Sequence, residues 1–328
     1  MERIILDVDS AGDDILAVLF AAISPSMKLE GITTCTGAAG PIDQVTNVVL
    51  NTLALAGKGD VPVAKGAWRP IVGNSKEDMQ APVHFEKRLV ARFGDRLAKF
   101  NPPAPTPTLK VIDKHAVDFI IDTALANPGE ITLVVTGPMT NAAMAFLQEP
   151  KLAQALKRMV LLGGNFVTPG NITPLAEFNI WADPEAAARV FSAGFEKVTL
   201  VTLDATHRAL VSYADCDHLA MLGTPAGQAT SDIVRFRIEM HDISQKMEVL
   251  GTAPVHDAVC VAYLVDRAIL TTRHLHVDVE TSGGLTVGRT VIDTHFRGNR
   301  EPNADVAFDA DPRRFVAMLT DIFARPHG

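Results

Sequence analysis

The sequence predicts an α/β fold: a mainly parallel central sheet with helices on both faces and a small late β-hairpin. Two observations predict the parallel part. Short β-rich runs alternate with helical stretches along most of the chain, the order that threads a parallel sheet through crossover helices. The first run, "IILDV" at 4–8, is continuously apolar apart from one acid, as a strand buried on both faces must be. A third observation predicts the hairpin. "HLHVDVETSGGLTVGRTVIDT" at 274–294 alternates polar and apolar residues around Gly283 and Gly284.

The elements follow in order. After "IILDV", residues 13–23 form a helix with Ile15, Leu16, Val18, Leu19 and Ile23 facing inward. "LEGITT" is a second strand, and the helix over "QVTNVVLNTLALAG" stops at Gly57. "ITLVVTG" and "NAAMAFL" repeat the strand-then-helix pattern, followed by "RMVLLGG", "DPEAAARVFSAG" and "KVTLVTL". Residues 69–108 break the rhythm: their periodicity is weak, and the Pro-rich "NPPAPTPTLK" reads as an extended connector after a surface insertion. No internal repeat and no long linker divides the chain, so residues 1–328 are expected to form a single domain.

Composition narrows the function. A net charge of −8 disfavours nucleic acid or an anionic membrane as the main partner and favours a small neutral ligand or a bound cation. No apolar run approaches the ~18 residues of a membrane span. Cys35, Cys216 and Cys260 are odd in number and sit in apolar surroundings, the pattern of reduced, buried thiols. The chain opens directly into a strand, with no room for a signal peptide, so a cytoplasmic protein is expected.

The N-terminal "DVDSAGDD" concentrates Asp7, Asp9, Asp13 and Asp14 between two apolar runs. Asp9 follows the first strand and Asp14 lies in the first turn of the next helix, so both project at the carboxyl edge of the sheet, where ligands bind in such folds. A helix N-terminus offers about 0.3–1 kcal/mol to a nearby carboxylate, which offsets only part of the repulsion among four acids. A divalent cation meets the rest, and an all-oxygen donor set selects Ca²⁺ or Mg²⁺ over Zn²⁺. The competing reading is a capped helix with solvated acids. Four further segments crowd polar residues into loops at the same edge: "VVTGPMTN", "GNITPLAEFN", "LDATH" and "PVHDAV".

These motifs, in this order from about residue 3 to about 310, resemble the inosine-uridine preferring nucleoside hydrolase family. The resemblance implies a Rossmann-like nucleoside hydrolase fold and hydrolysis of the N-glycosidic bond of a purine or pyrimidine ribonucleoside. It makes Asp9, Asp14 and Asp257 side-chain ligands of Ca²⁺ and Thr136 a main-chain carbonyl ligand. It sets Asp13 on the ribose hydroxyls, Asn171, Glu177 and Asn179 around the sugar, and His84 in a loop over the base. Asp7 supports the cluster from behind, and His256 stands beside the leaving base. It also implies a homodimer or homotetramer.

The residue types suit that chemistry. N-glycoside cleavage passes through an oxocarbenium-like transition state, which a net-negative site stabilises. Calcium acidifies water less than zinc does, so a carboxylate base is useful, and Asp9 is the choice. His256, with a pKa tuned near neutrality, is the candidate acid. A site built to hold vicinal hydroxyls rejects deoxyribose. Duller roles compete: His207 in "DATH" reads as structural, and Phe166, Phe178 and Trp181 as packing.

Three departures matter. Ser10 and Ala11 stand where the family commonly has Pro-Gly. Ala38 stands in place of an Asn that lines its pocket. The segment "PVHFEKRLVARFGDRL" keeps His84 but lacks the family's loop glycines. They motivate an alternative, a catalytically weak homologue that binds nucleoside or ribose. A third reading, a Mg²⁺-dependent aspartyl phosphatase built on "DVD", leaves "AEFN" and "PVHD" without a role.

Overall fold

The computed structural model describes residues 1–10, 12–38, 40–72, 91, 94, 105–195 and 197–326. His84 and most of the insertion and Pro-rich connector lie outside these residues.

Strand β1 (Glu2–Val8) is an interior strand of a sheet that, among the described residues, has nine strands in the order β10-β9-β11-β6-β5-β4-β1-β2-β3. Its neighbours β2 (Met27–Thr34) and β4 (Ile131–Val135) pair with it in parallel. Beyond them lie β3 (Val63–Lys65) on one side and β5 (Arg158–Leu162) and β6 (Val198–Val201) on the other, all parallel. β11 (Ala304–Ala310) pairs parallel with β6 and antiparallel with β9 (Leu270–Val279). β9 and β10 (Thr290–Asp293) form the late hairpin, with Thr290 opposite Val279. A small separate sheet pairs β7 (Leu210–Ser212) with β8 (Thr252–Pro254).

Side-chain alternation on β1 builds both layers. Ile4, Leu6 and Val8 face a core with Leu16, Leu19 and Phe20 of α1 (Gly12–Ile23) and Phe315 and Phe323 of the C-terminal helix. Ile5 faces the other core, with Ile120, Leu133 and Phe146. Of the inward-facing residues expected on α1, Leu16, Val18 and Leu19 are fully buried, while Ile15 and Ile23 pack partly buried at the margin. The second helix starts at Ile42 and ends at Leu55, with Gly57 at φ +65° just beyond, a left-handed stop that glycine adopts without strain.

The chain runs from β1 outward to β2 and β3, then returns to place β4 on the other side of β1. This reversal opens a crevice at the carboxyl ends of β1 and β4. Among the described residues no helix is long and apolar enough to cross a membrane. All three cysteines are buried and unbridged.

Candidate active site

The crevice is floored by Asp7. Its Oδ1 accepts hydrogen bonds from the Thr33 hydroxyl at 2.5 Å and the Asn141 amide at 2.8 Å, while its buried Oδ2 has no partner among the described residues. Burial raises its pKa to about 7. The chain then turns through Ser10, whose φ of +56° is left-handed; about 1–2 kcal/mol of strain is expected for a non-glycine residue there. The Ser10 hydroxyl donates to the Val45 carbonyl at 3.1 Å. This loop differs in sequence from the family pattern, yet it delivers Asp9 to the sheet edge.

Asp9 is held by main chain. Its Oδ2 accepts the Ala38 N–H at 2.6 Å. A Cβ on Gly37 would lie 2.0 Å from that same oxygen, and one on Gly137 would lie 2.9 Å from the Asp9 Cβ. Two glycines therefore leave the space that Asp9 fills. Ala38 contributes its backbone, so the Asn missing at this position is not needed to hold Asp9.

From α1, Asp13 and Asp14 enter the crevice, both buried. Asp14 accepts the Thr136 hydroxyl at 2.6 Å and hydrogen-bonds with Asp9. Burial first, then the Asp9 charge and that hydrogen bond, push its pKa well above the ordinary carboxylate range. Asp257 comes from the first turn of a late helix, His256–Val265, that packs against α1. Burial, followed by the charges of Asp13, Asp14 and Asp9, drives its pKa up likewise. The two motifs are 243 residues apart at Asp13 and His256, joined by the His256 N–H donating to Asp13 Oδ2 at 3.2 Å.

The metal fit rests on this arrangement. Among the described residues no three His, Cys, Asp or Glu side chains stand ready-assembled as a metal-binding group. Asp9 and Asp14 instead face one another through a hydrogen bond, and burial with the Asp9 charge raises the Asp14 pKa, a cost that a cation would relieve. The donors are all oxygen: three buried carboxylates and the Thr136 carbonyl at the end of β4. That chemistry suits a hard divalent ion. The Thr136 carbonyl also accepts the Asn179 amide at 2.6 Å.

Asn171 and Glu177 lie in the loop after β5, and Asn179 in the short helix that follows it. Glu177 caps the short helix Phe178–Ala182, accepting the N–H groups of Asn179 at 2.9 Å and Ile180 at 3.2 Å, and that of Gly164 at 3.0 Å. Asn171 Oδ1 accepts the Phe178 N–H at 2.8 Å. Burial raises Glu177 to about 7 despite its three donors. The native state then keeps a proton that the unfolded chain releases near 4.5, so stability falls as pH rises between these values. Relative to Glu177→Gln, the wild type is expected to lose about 3 kcal/mol between pH 4.5 and 7.5. Denaturant unfolding of both proteins at the two pH values measures it.

His256 departs from its sequence-based expectation. Burial, then Arg237, His207 and His241, push its pKa well below 6.5 rather than near neutrality, so the imidazole is neutral. Its Nδ1 lies 2.7 Å from the Thr206 hydroxyl, and the His207 ring stands 5.7 Å away, centre to centre. His207 is itself lowered to about 4 by burial. Phe166 packs edge-on against Phe308, and Phe178 lies tilted on Trp181, as the packing reading expects.

Sequence reasoning missed two residues. Asn141, the last residue of "TGPMTN", donates to Asp7 and to the Thr34 carbonyl and accepts the Ala67 N–H. The motif signalled it, but a single Asn names no partner. Arg237 donates to Asp13 Oδ1 at 2.9 Å from the middle of the helix Pro225–Ser244, and nothing local in "IVRFRIEM" marks it.

Comparison with known proteins shows the family and the fold. The chain matches the family model of inosine-uridine preferring nucleoside hydrolase over residues 4–317. It is 36% identical over 319 residues to the pyrimidine-specific ribonucleoside hydrolase RihA of Salmonella arizonae, covering 97% of each protein. The solved structure of a purine-preferring ribonucleoside hydrolase from Gardnerella vaginalis superposes with a TM-score of 0.84 at 30% identity, covering 98% of both chains. The plant nucleoside hydrolase PpNRh1 gives a TM-score of 0.82 at 28% identity over 99% of both. With its acids gathered at the crevice and its motifs matched along almost its whole length, this chain belongs to the inosine-uridine preferring nucleoside hydrolase family.

Proposed function

We propose that this protein hydrolyses the N-glycosidic bond of a ribonucleoside, releasing free base and ribose, with Ca²⁺ held by Asp9, Asp14, Asp257 and the Thr136 carbonyl. The observation that carries the reading is the buried cluster, in which Asp14 and Asp257 are pushed up by burial and by their acidic neighbours. Burying like charges is costly, and a fold retains such a group where a ligand makes use of it.

Bound calcium would supply positive charge that gathers the carboxylates, acidifies water and grips vicinal hydroxyls. The side chains do the rest. Asp9, fixed through its Oδ2 by the Ala38 N–H, accepts a proton from the attacking water. Asp13 accepts hydrogen bonds from ribose hydroxyls. Asn171 has its Oδ1 engaged by Phe178 and offers its amide to the sugar; Asn179 has its amide engaged and offers its Oδ1. Glu177, anchored by three backbone donors, borders the same sugar. The anionic surroundings favour the cationic sugar of the transition state. His256, with Nδ1 accepting the Thr206 hydroxyl, donates a hydrogen bond from Nε2–H to the departing base, which leaves as an anion steadied by that bond and takes its proton from solvent.

Ribose release from a panel of purine and pyrimidine ribonucleosides, with and without EGTA, tests the reading. Turnover that EGTA abolishes and calcium restores is expected. A calcium-loaded protein that cleaves no member of the panel overturns it. Both base classes belong in the panel, because one relative is named pyrimidine-specific and another purine-preferring.

Gly37→Ala is a second test. The new Cβ must displace Asp9 Oδ2, and a shift of about 1 Å at a reacting group can cost about 10²-fold in rate. A drop of that size in kcat is expected, with the melting temperature as the control for folding. The cytoplasmic setting and the dimer or tetramer belong to the same proposal; light scattering on the eluting protein reads the second.

A further inference from the structure

We propose that Arg237 is a positioning residue for sugar recognition, locking Asp13 and the His256 loop into the one arrangement that discriminates ribose from 2′-deoxyribose. The inference rests on the proposed function and deepens it.

The Arg237 guanidinium makes two hydrogen bonds in different directions. Nη1 donates to Asp13 Oδ1 at 2.9 Å, and Nε donates to the Pro254 carbonyl at 3.0 Å. The other Asp13 oxygen accepts the His256 N–H at 3.2 Å. One planar group therefore bridges the first turn of α1 and the residue that precedes the Val255–His256 turn, and Asp13 closes the ring by bonding that turn directly. Among the described residues each Asp13 oxygen holds one protein donor, which fixes the carboxylate plane and leaves further lone pairs for hydroxyl donors.

The pair is not placed for stability. Its side chains are 15% and 5% exposed, and a buried ion pair gains little over apolar packing once desolvation is counted. A planar fork does what a point charge cannot, holding two acceptors at fixed angles. Without it, Asp13 keeps only the His256 N–H and can turn about that single contact. Discrimination follows from rigidity. A fixed buried acceptor left unpaired by a missing 2′-hydroxyl makes deoxyribose costly, while a mobile one finds another partner.

The experiment compares uridine and inosine with their 2′-deoxy counterparts in wild type, Arg237→Met and Arg237→Lys. In Arg237→Met the ratio of kcat/KM for ribo- over deoxyribonucleoside is expected to fall about tenfold or more, through KM more than kcat. Arg237→Lys restores part of the ratio, because an ammonium keeps the charge near Asp13 but reaches one acceptor at a time. In an Asp13→Asn background, Arg237→Met adds little further change, as expected of a residue that acts through Asp13. An unchanged ratio in Arg237→Met with a lowered melting temperature makes Arg237 merely structural and overturns the inference. If Arg237→Met fails to fold, the ratio in Arg237→Lys decides by the same criterion. Wild type that releases no ribose overturns the proposed function instead; calorimetric binding of ribose against 2-deoxyribose by wild type and Arg237→Lys then decides the role of Arg237 on its own.

Discussion

Asp9→Asn is expected to lower kcat for ribose release by about 10³-fold or more, because it removes the proton acceptor and one ligand charge together. The same change is expected to raise the melting temperature of the calcium-free protein. Asp9 stands against Asp14, Asp257 and Glu177 as a source of repulsion, raising the pKa of each. An amide at this position keeps the shape and can still accept the Ala38 N–H at Oδ1, but it carries no charge. Function and stability thus move in opposite directions, the signature of a site that stores strain for its ligand. A variant that keeps near-wild-type kcat removes Asp9 from its catalytic role. One that loses activity through a fall in melting temperature removes the repulsion argument.

Calcium loading is expected to give the largest stabilisation. A ligand that binds only the native state at about 100 times its Kd adds about 2.7 kcal/mol, a rise of about 4 °C for a chain of this size. Thermal melts with EGTA and with added calcium measure it. Magnesium is expected to give a smaller rise, because it demands near-ideal octahedral geometry and gives up its waters reluctantly. In Asp257→Asn the calcium-dependent rise shrinks, since that acid reaches the cluster from a different part of the chain.

The fold was legible because its signals are local. The apolar run "IILDV", the helix stop at Gly57 and the alternation around Gly283 and Gly284 each depend on residues within one element, and each stands where expected. The acids from Asp7 to Asp14 were legible for the same reason: their register relative to one strand and one helix fixes which edge they reach. Two things were not legible. Arg237 meets Asp13 across 224 residues, from a helix whose sequence reads as an ordinary amphipathic stretch. The neutral state of His256 depends on burial and on Arg237, His207 and His241 converging from three other segments, which adjacency to Asp257 in "PVHD" does not reveal. Ser10 lies between these cases. The missing Pro-Gly was plain in the sequence, but only the backbone shows a serine taking the left-handed conformation while the acids keep their places.

Isothermal titration of calcium into metal-free protein, repeated in buffers of different ionisation enthalpy, tests the central claim most directly. The account predicts one ion per chain, taken up with release of protons, because carboxyl groups raised by burial and mutual repulsion must ionise to bind it. It also predicts that Asp257→Asn abolishes or sharply weakens the uptake. Calcium binding that is absent from the wild type, or that survives Asp257→Asn unchanged and releases no protons, contradicts it.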